Sequence, residues 1–244
     1  MDKPISNFTP QISNQMKALI FAAGKGTRLK PFTDFHPKAL AVVNSVPLLE
    51  RNIKYLQSFG INEFVINVHH FGEQIIEFLK EKENFGAKID ISDEKDELLE
   101  TGGGLIFDKK YLENEENFLI MNADILTDLD IIALINFHLS HQNIATLAVS
   151  DRASSRKLLF NEKMILRGWV NKTTGETKLA EHNHNFKELA FSGIHCINSA
   201  IFGKIKRTGK FSIMEEYLDL MFDRQIQGFQ HHAKLIDVGR PESV

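Results

Sequence analysis

A chain of 244 residues, 43% hydrophobic and 25% charged, is long enough for one well-filled α/β domain, and its 29 basic against 32 acidic side chains leave a net charge of -3. That balance gives no electrostatic footing for a nucleic-acid partner. No window approaches the roughly 18 consecutive apolar residues that span a bilayer, and residues 1–15 lack the apolar core of a signal peptide.

Residues 1–15, rich in Ser, Asn, Gln and Pro, show no sustained period and are expected to be a flexible tail, with the folded domain beginning at Met16. The run Lys17-Ala18-Leu19-Ile20-Phe21-Ala22-Ala23 is short, almost wholly apolar and closed by Gly24, which suits a strand buried on both faces. A glycine-bearing loop follows. Pro47 opens a helix with Leu49, Ile53 and Leu56 at helical spacing, and Gly60 stops it. Residues 64–68 are the next buried strand, 72–84 a helix and 88–92 a strand. A helix then starts near Gly103, and 118–121 form another strand. Ile131, Ile135 and Leu139 mark a further helix before a strand at 145–149. This alternation predicts parallel βαβ units in a doubly wound, mostly parallel, Rossmann-like mixed sheet, with ligands at the C-terminal ends of the strands.

After Ser150 the segments at 157–160, 167–170 and 178–180 are short and broken by polar residues, as in antiparallel hairpins. An amphipathic helix over 213–222 and a last strand over 234–238 close the chain. One domain is expected, with a ligand-binding part at 16–150 and a covering subregion at 151–244. Cys196, the lone cysteine, makes no internal disulfide, so a reducing, cytoplasmic setting is expected.

The first strand empties into Gly24-Lys25-Gly26-Thr27-Arg28-Leu29, where glycines let the backbone approach an anion and N–H groups cradle phosphate. Leu29 stands where a dinucleotide fingerprint needs its third glycine, and no Gly-Lys-Ser or Gly-Lys-Thr closes a Walker loop. Lys25, Arg28 and Lys38 supply cations for phosphate oxygens; the competing reading is a tight turn with solvated basic side chains. Asp124, in Asn122-Ala123-Asp124, follows a strand and offers a hard oxygen ligand for Mg²⁺. Its alternative is a turn or capping aspartate, although Asp128 is better placed to cap the following helix. Asp237 repeats the pattern after a late strand. In Glu100-Thr101-Gly102-Gly103-Gly104 the glycines serve either close contact with a base or ribose, or a crossing of backbones. The ten histidines form no i, i+4 zinc pair with an attendant glutamate, and Trp169 and Phe211 read as core residues.

Together, and in this order, these pieces resemble the sugar-1-phosphate nucleotidyltransferases, or nucleotide-sugar pyrophosphorylases. The segment from Lys17 to Leu29 with Pro31, Thr33 and His36-Pro37-Lys38-Ala39-Leu40 is similar to the family signature. Leu99-Glu100-Thr101-Gly102-Gly103-Gly104, Asn122-Ala123-Asp124-Ile125, Phe191-Ser192-Gly193-Ile194 and Ile236-Asp237-Val238-Gly239-Arg240-Pro241-Glu242 resemble its later motifs. Glu-Thr-Gly-Gly-Gly and Asn67-Val68-His69-His70-Phe71 look most like the N-acetylmuramate 1-phosphate uridylyltransferases of cell-wall recycling, with mannose-1-phosphate guanylyltransferase-like proteins as neighbours.

The resemblance implies the nucleotide-diphospho-sugar transferase fold, with 16–150 as nucleotide-binding part and 151–244 as sugar-binding part and closing strand. It implies transfer of a nucleotidyl group from an NTP to a sugar 1-phosphate by a monomer or small homo-oligomer acting on small molecules. Arg28 and Lys38 would be catalytic, and Asp124 and Asp237 would hold Mg²⁺. Ala22, Ala23, Gly24, Lys25, Gly26, Thr27, Thr101, Gly102 and Asn122 would line the nucleotide, and Gly193 and Glu181 the sugar. Ala123 departs from the family pattern, where many members have glycine. Two other classes compete: a non-catalytic subunit that binds nucleotide-sugar, against which the four charged residues argue, and a dinucleotide-dependent oxidoreductase, against which Leu29 argues.

Overall fold

The computed structural model describes residues 16–95, 97–180, 185–223 and 225–239; the expected tail, Glu181 and the motif residues Arg240, Pro241 and Glu242 lie outside them. The first part of the chain comprises β1 (Lys17–Phe21), β2 (Val42–Val43), β3 (Val46–Pro47), α1 (Leu48–Gln57), β4 (Glu63–Val68), α2 (Gly72–Glu81), β5 (Lys88–Asp93), α3 (Glu100–Phe107), α4 (Lys109–Leu112), β6 (Asn117–Asn122), β7 (Ile125–Thr127), α5 (Ile131–His141) and β8 (Ala145–Ser150). The rest adds β9 (Arg156–Phe160), β10 (Leu166–Asn171), β11 (Thr177–Leu179), β12 (Lys187–Asn198), α6 (Ile213–Leu220), β13 (Ile226–Gln230) and β14 (Leu235–Asp237).

β5, β4, β1 and β6 lie side by side and parallel, with Ile20 opposite both Ile66 and Met121. β12 then runs antiparallel to β6 along one edge and to β8 along the other, and β13 lies parallel to β8. The N-terminal end of β12 pairs with β9, from which β10 and β11 extend the sheet by antiparallel hairpins. Outside this sheet, β14 pairs with β7 and β2 with β3.

Alternation along β1 sorts the two layers. Ala18 and Ile20 face a core with Leu49 and Ile53 of α1, Ile75 of α2 and Ile131 of α5. Leu19 faces the opposite core with Leu105 of α3, Leu112 of α4 and Tyr217 of α6. Both faces of β1, β4 and β6 are covered, which is why these strands are largely apolar, whereas β5, at the sheet edge, alternates. Among the described residues no helix is long and apolar enough to cross a membrane.

Three expectations move. The helix expected over 72–84 ends at Glu81, because Asn84 and Phe85 turn left-handed with φ of 53° and 54°. The helix expected near Gly103 starts at Glu100, so all three glycines lie inside it. The last strand, expected over 234–238, is confined to Leu235–Asp237 and pairs with β7 outside the main sheet.

Candidate active site

The parallel strands end in a cavity of about 430 Å³, walled by the glycine loop after β1, the ends of β4 and β6, and the start of α3. The loop geometry dictates its residues. Gly26 has φ of 59°, and a Cβ there would stand 2.8 Å from both Lys38 Cβ and Thr33 Cγ2, so glycine is required for conformation and for space. Its carbonyl accepts from Leu29 N at 2.8 Å and Thr33 Oγ1 at 2.9 Å. Leu29, in place of a third glycine, is buried against Ala41, Leu48 and Val238 and anchors the loop to the β14 end of the chain.

Lys38, packed on Gly26, ion-pairs with Asp124 across the cavity wall; their side chains are 12% and 24% exposed, so the pair is only partly screened by water. Ala123 N donates to Phe21 O at 3.1 Å and Asn52 Nδ2 donates to Ala123 O at 2.9 Å, which fixes the backbone beneath Asp124. Val238 N donates to Asp124 O at 2.9 Å and Asp237 lies opposite Ile125, so Asp124, just before β7, and Asp237, on β14 and outside the cavity lining, are one register step apart. Asp237 is exposed. A Cβ on Gly239 would lie 2.7 Å from Asp237 Oδ1 and 2.9 Å from Arg28 Nη2, so this glycine lets guanidinium and carboxylate close over the strand end.

The far end of the cavity differs in character. Asn67, at the end of β4, accepts from Ala23 N through Oδ1 at 3.1 Å and donates through Nδ2 to Glu94 Oε1. Glu94 Oε2 accepts from Leu99 N at 2.9 Å. Burial pushes the Glu94 carboxyl above its ordinary range, and the Leu99 N–H and the Asn67 amide pull it back. Gly104 makes room for it, since a Cβ there would meet Glu94 Oε1 at 2.7 Å. Thr101 also lines the cavity and accepts from Ile213 N at 3.0 Å, tying α3 to α6.

A search of family models matches residues 17–158 to the family described as nucleotidyl transferase, more than half of the chain. The chain belongs to the nucleotidyl transferase family. A mannose-1-phosphate guanyltransferase of Gibberella zeae is 28% identical over 93% of the chain, and the chain spans 62% of that relative's length. An N-acetylmuramate alpha-1-phosphate uridylyltransferase of Neisseria meningitidis serogroup B is 40% identical over 48% of the chain and 51% of its own length. In structure, HddC from Yersinia pseudotuberculosis, solved with GMP-PN, superposes with a TM-score of 0.76 over 93% of this chain and 96% of that one at 23% identity, a likeness of fold.

Within this nucleotidyl transferase, Ala22, Ala23, Gly24, Gly26, Thr27, Arg28, Lys38, Thr101, Asn122 and Asp124 all line one cavity. Lys25 is exposed and outside the lining. Gly102 is spent on packing: a Cβ there would strike Phe211 Cε2 at 2.3 Å, and Gly102 N donates to Phe211 O at 2.8 Å. Gly193, with φ of 77°, sits in the irregular stretch of β12, where a Cβ would be 3.2 Å from Asn122 Nδ2. Asp128 does not cap α5; Asp130 does, accepting from Ala133 N at 3.0 Å, while Asp128 accepts from Lys234 N at 2.7 Å. Asn67 and Glu94 escaped the sequence reading as site residues. Glu94 carries the same signal as Asp124, an acid just beyond a parallel strand.

Proposed function

We propose that this nucleotidyl transferase moves a nucleotidyl group from an NTP to a sugar 1-phosphate in the cytoplasm, and that its substrates are UTP and N-acetylmuramate 1-phosphate. The observation that carries the reading is the convergence of Gly26, Arg28, Lys38 and Asp124 in one cavity at the strand ends. A phosphate monoester, with a second pKa of about 6, is largely dianionic at neutral pH and needs no base to attack. Its oxygen would bond to the α-phosphorus as the bond to the bridging oxygen breaks and pyrophosphate leaves with the electron pair. The obstacle is repulsion between anions, so positioned cations supply the catalysis. Arg28 would hold the departing phosphates and Lys38 would stand between the α-phosphate and the incoming one.

Asp124 and Asp237 are hard oxygen donors on adjacent backbone positions. This set fits Mg²⁺, which takes one or two carboxylates and fills its other positions with water and phosphate oxygens. These two residues would hold the ion, which when bound screens the phosphate charge.

Phosphates belong at the cationic end, so the base falls at Glu94. A carboxylate there accepts a ring N–H, present in uracil and guanine and replaced by a lone pair at N1 of adenine and N3 of cytosine. Gly193 would face the sugar, and Glu181, outside the described residues, is the acidic residue proposed to bind it. A second reading, GTP with mannose 1-phosphate, is favoured by the relative matched over 93% of the chain and by the fit of two carboxylate oxygens to the two adjacent N–H donors of guanine.

A matrix of NTPs against sugar 1-phosphates, followed by pyrophosphate release with Mg²⁺, tests the proposal. UTP with N-acetylmuramate 1-phosphate should turn over fastest. A faster reaction of GTP with mannose 1-phosphate would install the second reading, and no release from any pair would end both.

A further inference from the structure

Asp108 lies one helical turn beyond Gly104, the glycine over which Glu94 is laid, and Asp108 N donates to Gly104 O at 2.8 Å. The residue is 0% exposed, and neither carboxyl oxygen has a hydrogen-bond partner. Ser92, 1% exposed, turns its hydroxyl toward Asp108 without closing a bond of good geometry. Ser92 is also the register partner of Asn67, so on this face of the sheet one polar side chain serves Glu94 and its neighbour serves Asp108.

Two carboxyls therefore share a buried strip between β5 and α3. Glu94, in the loop after β5, raises the proton affinity of Asp108, and Lys110 on α4 lowers it; His69, after β4, reaches Glu94 through Nδ1 and the Glu94 carbonyl at 2.7 Å. Ionising both acids would bury two like charges, neither of them ion-paired among the described residues, which is costlier than leaving one proton in place. The hydrogen bonds decide which acid keeps it. Glu94 has two N–H donors and an open cavity; Asp108 has no N–H donor, only the Ser92 hydroxyl nearby.

We propose that Asp108 carries its proton up to neutral pH, leaving Glu94 as the single negative charge at the base end of the cavity. The role in catalysis rests on the reading that an NTP base lies against Glu94; the protonation does not. Burial pushes the Asp108 carboxyl up to about 7, so alkaline pH adds a second charge whose repulsion acts on Glu94.

Infrared spectroscopy of the substrate-free protein at neutral pH should show a protonated-carboxyl C=O band that is lost in Asp108→Asn. In wild type, KM for the NTP should rise several-fold from about pH 6 to about pH 9 while KM for the sugar phosphate follows a different course, and in Asp108→Asn the NTP rise should be absent. Should that variant fold poorly, Ser92→Ala removes the hydroxyl that steadies the ionised form and should move the rise to higher pH. No such band, or an NTP profile identical in wild type and variant, overturns the proposal. Absence of turnover with every NTP would instead remove the nucleotidyl-transfer reading, and the infrared band tells the two failures apart because it is read without substrate.

Discussion

Lys38 and Asp124 face each other across the cavity wall, yet their substitution should separate two kinds of loss. Lys38→Ala removes the cation assigned to the reacting phosphates, so kcat should fall by about a hundredfold or more with a smaller change in KM for the NTP; a change confined to KM would contradict the role. Asp124→Asn keeps shape and removes a hard anionic ligand, and Mg²⁺-dependent pyrophosphate release should be lost while the circular dichroism spectrum is kept. Gly104→Ala tests the opposite end. The new Cβ would stand 2.7 Å from Glu94 Oε1 and 3.1 Å from Asn67 Nδ2, so Glu94 must move. Alanine is about 1 kcal/mol better than glycine inside a helix, which offsets part of that strain. KM for the NTP should therefore rise about tenfold with little change in melting temperature, and an unchanged KM would remove the base from Glu94. Lys38, Asp124 and Arg28 were legible in the sequence because charged residues beside glycine turns and strand ends are conspicuous. Asn67 was not, because an amide inside an apolar strand reads as an interruption until its partner Glu94, 27 positions away, is in view.

The elements of residues 16–150 were legible for the same reason that they are stable: β1, β4 and β6 are buried on both faces, so their runs are continuous, and α1 and α5 show their buried stripe at helical spacing. β12 was not seen as a strand, although its apolar stretch was evident. It holds β6 and β8 on its two edges with a register break between Phe191 and His195, and that break interrupts the period from which strands are read. The glycine cluster of α3 shows how a local rule yields to packing. Three glycines weaken a helix start, but Gly103 lies under Gly209, whose carbonyl oxygen would be 2.2 Å from an added Cβ, and Gly102 lies under Phe211. The segment before α6 thus crosses α3 at backbone contact. Gly102→Val should force these layers apart and cost about 1–3 kcal/mol in urea unfolding. Because Thr101 next to it both lines the cavity and receives Ile213 N, NTP affinity should fall with stability. A variant of wild-type stability would mean that the crossing is slack.

At the scale of the whole molecule, buried titratable groups set how stability follows pH. His195, fully buried and bonded to Tyr217, is pushed down to about 3, and His138, held between Thr146 and Asn117, to about 4, both by burial. Unfolded, each takes a proton near pH 6.5, so both contribute stability above that pH and lose it as pH falls toward their folded values. Asp108 works in the opposite sense. Its proton is held up to about 7 when folded and released near 3.8 when unfolded, so its contribution is lost as pH rises between those values. Between about pH 4 and 6.5 the unfolded chain binds two more protons at the histidines and one fewer at Asp108, leaving these three groups a net slope of about 1.4 kcal/mol per pH unit in favour of higher pH. Asp108→Asn deletes the opposing proton and leaves the histidines untouched. The stability of the variant relative to wild type should therefore grow by about 1.4 kcal/mol per pH unit from about pH 4 to pH 7 and then level off, whatever the fixed cost of an amide at that position. Urea unfolding of both proteins across that range measures the difference directly, and parallel curves would mean that Asp108 is ionised in the fold.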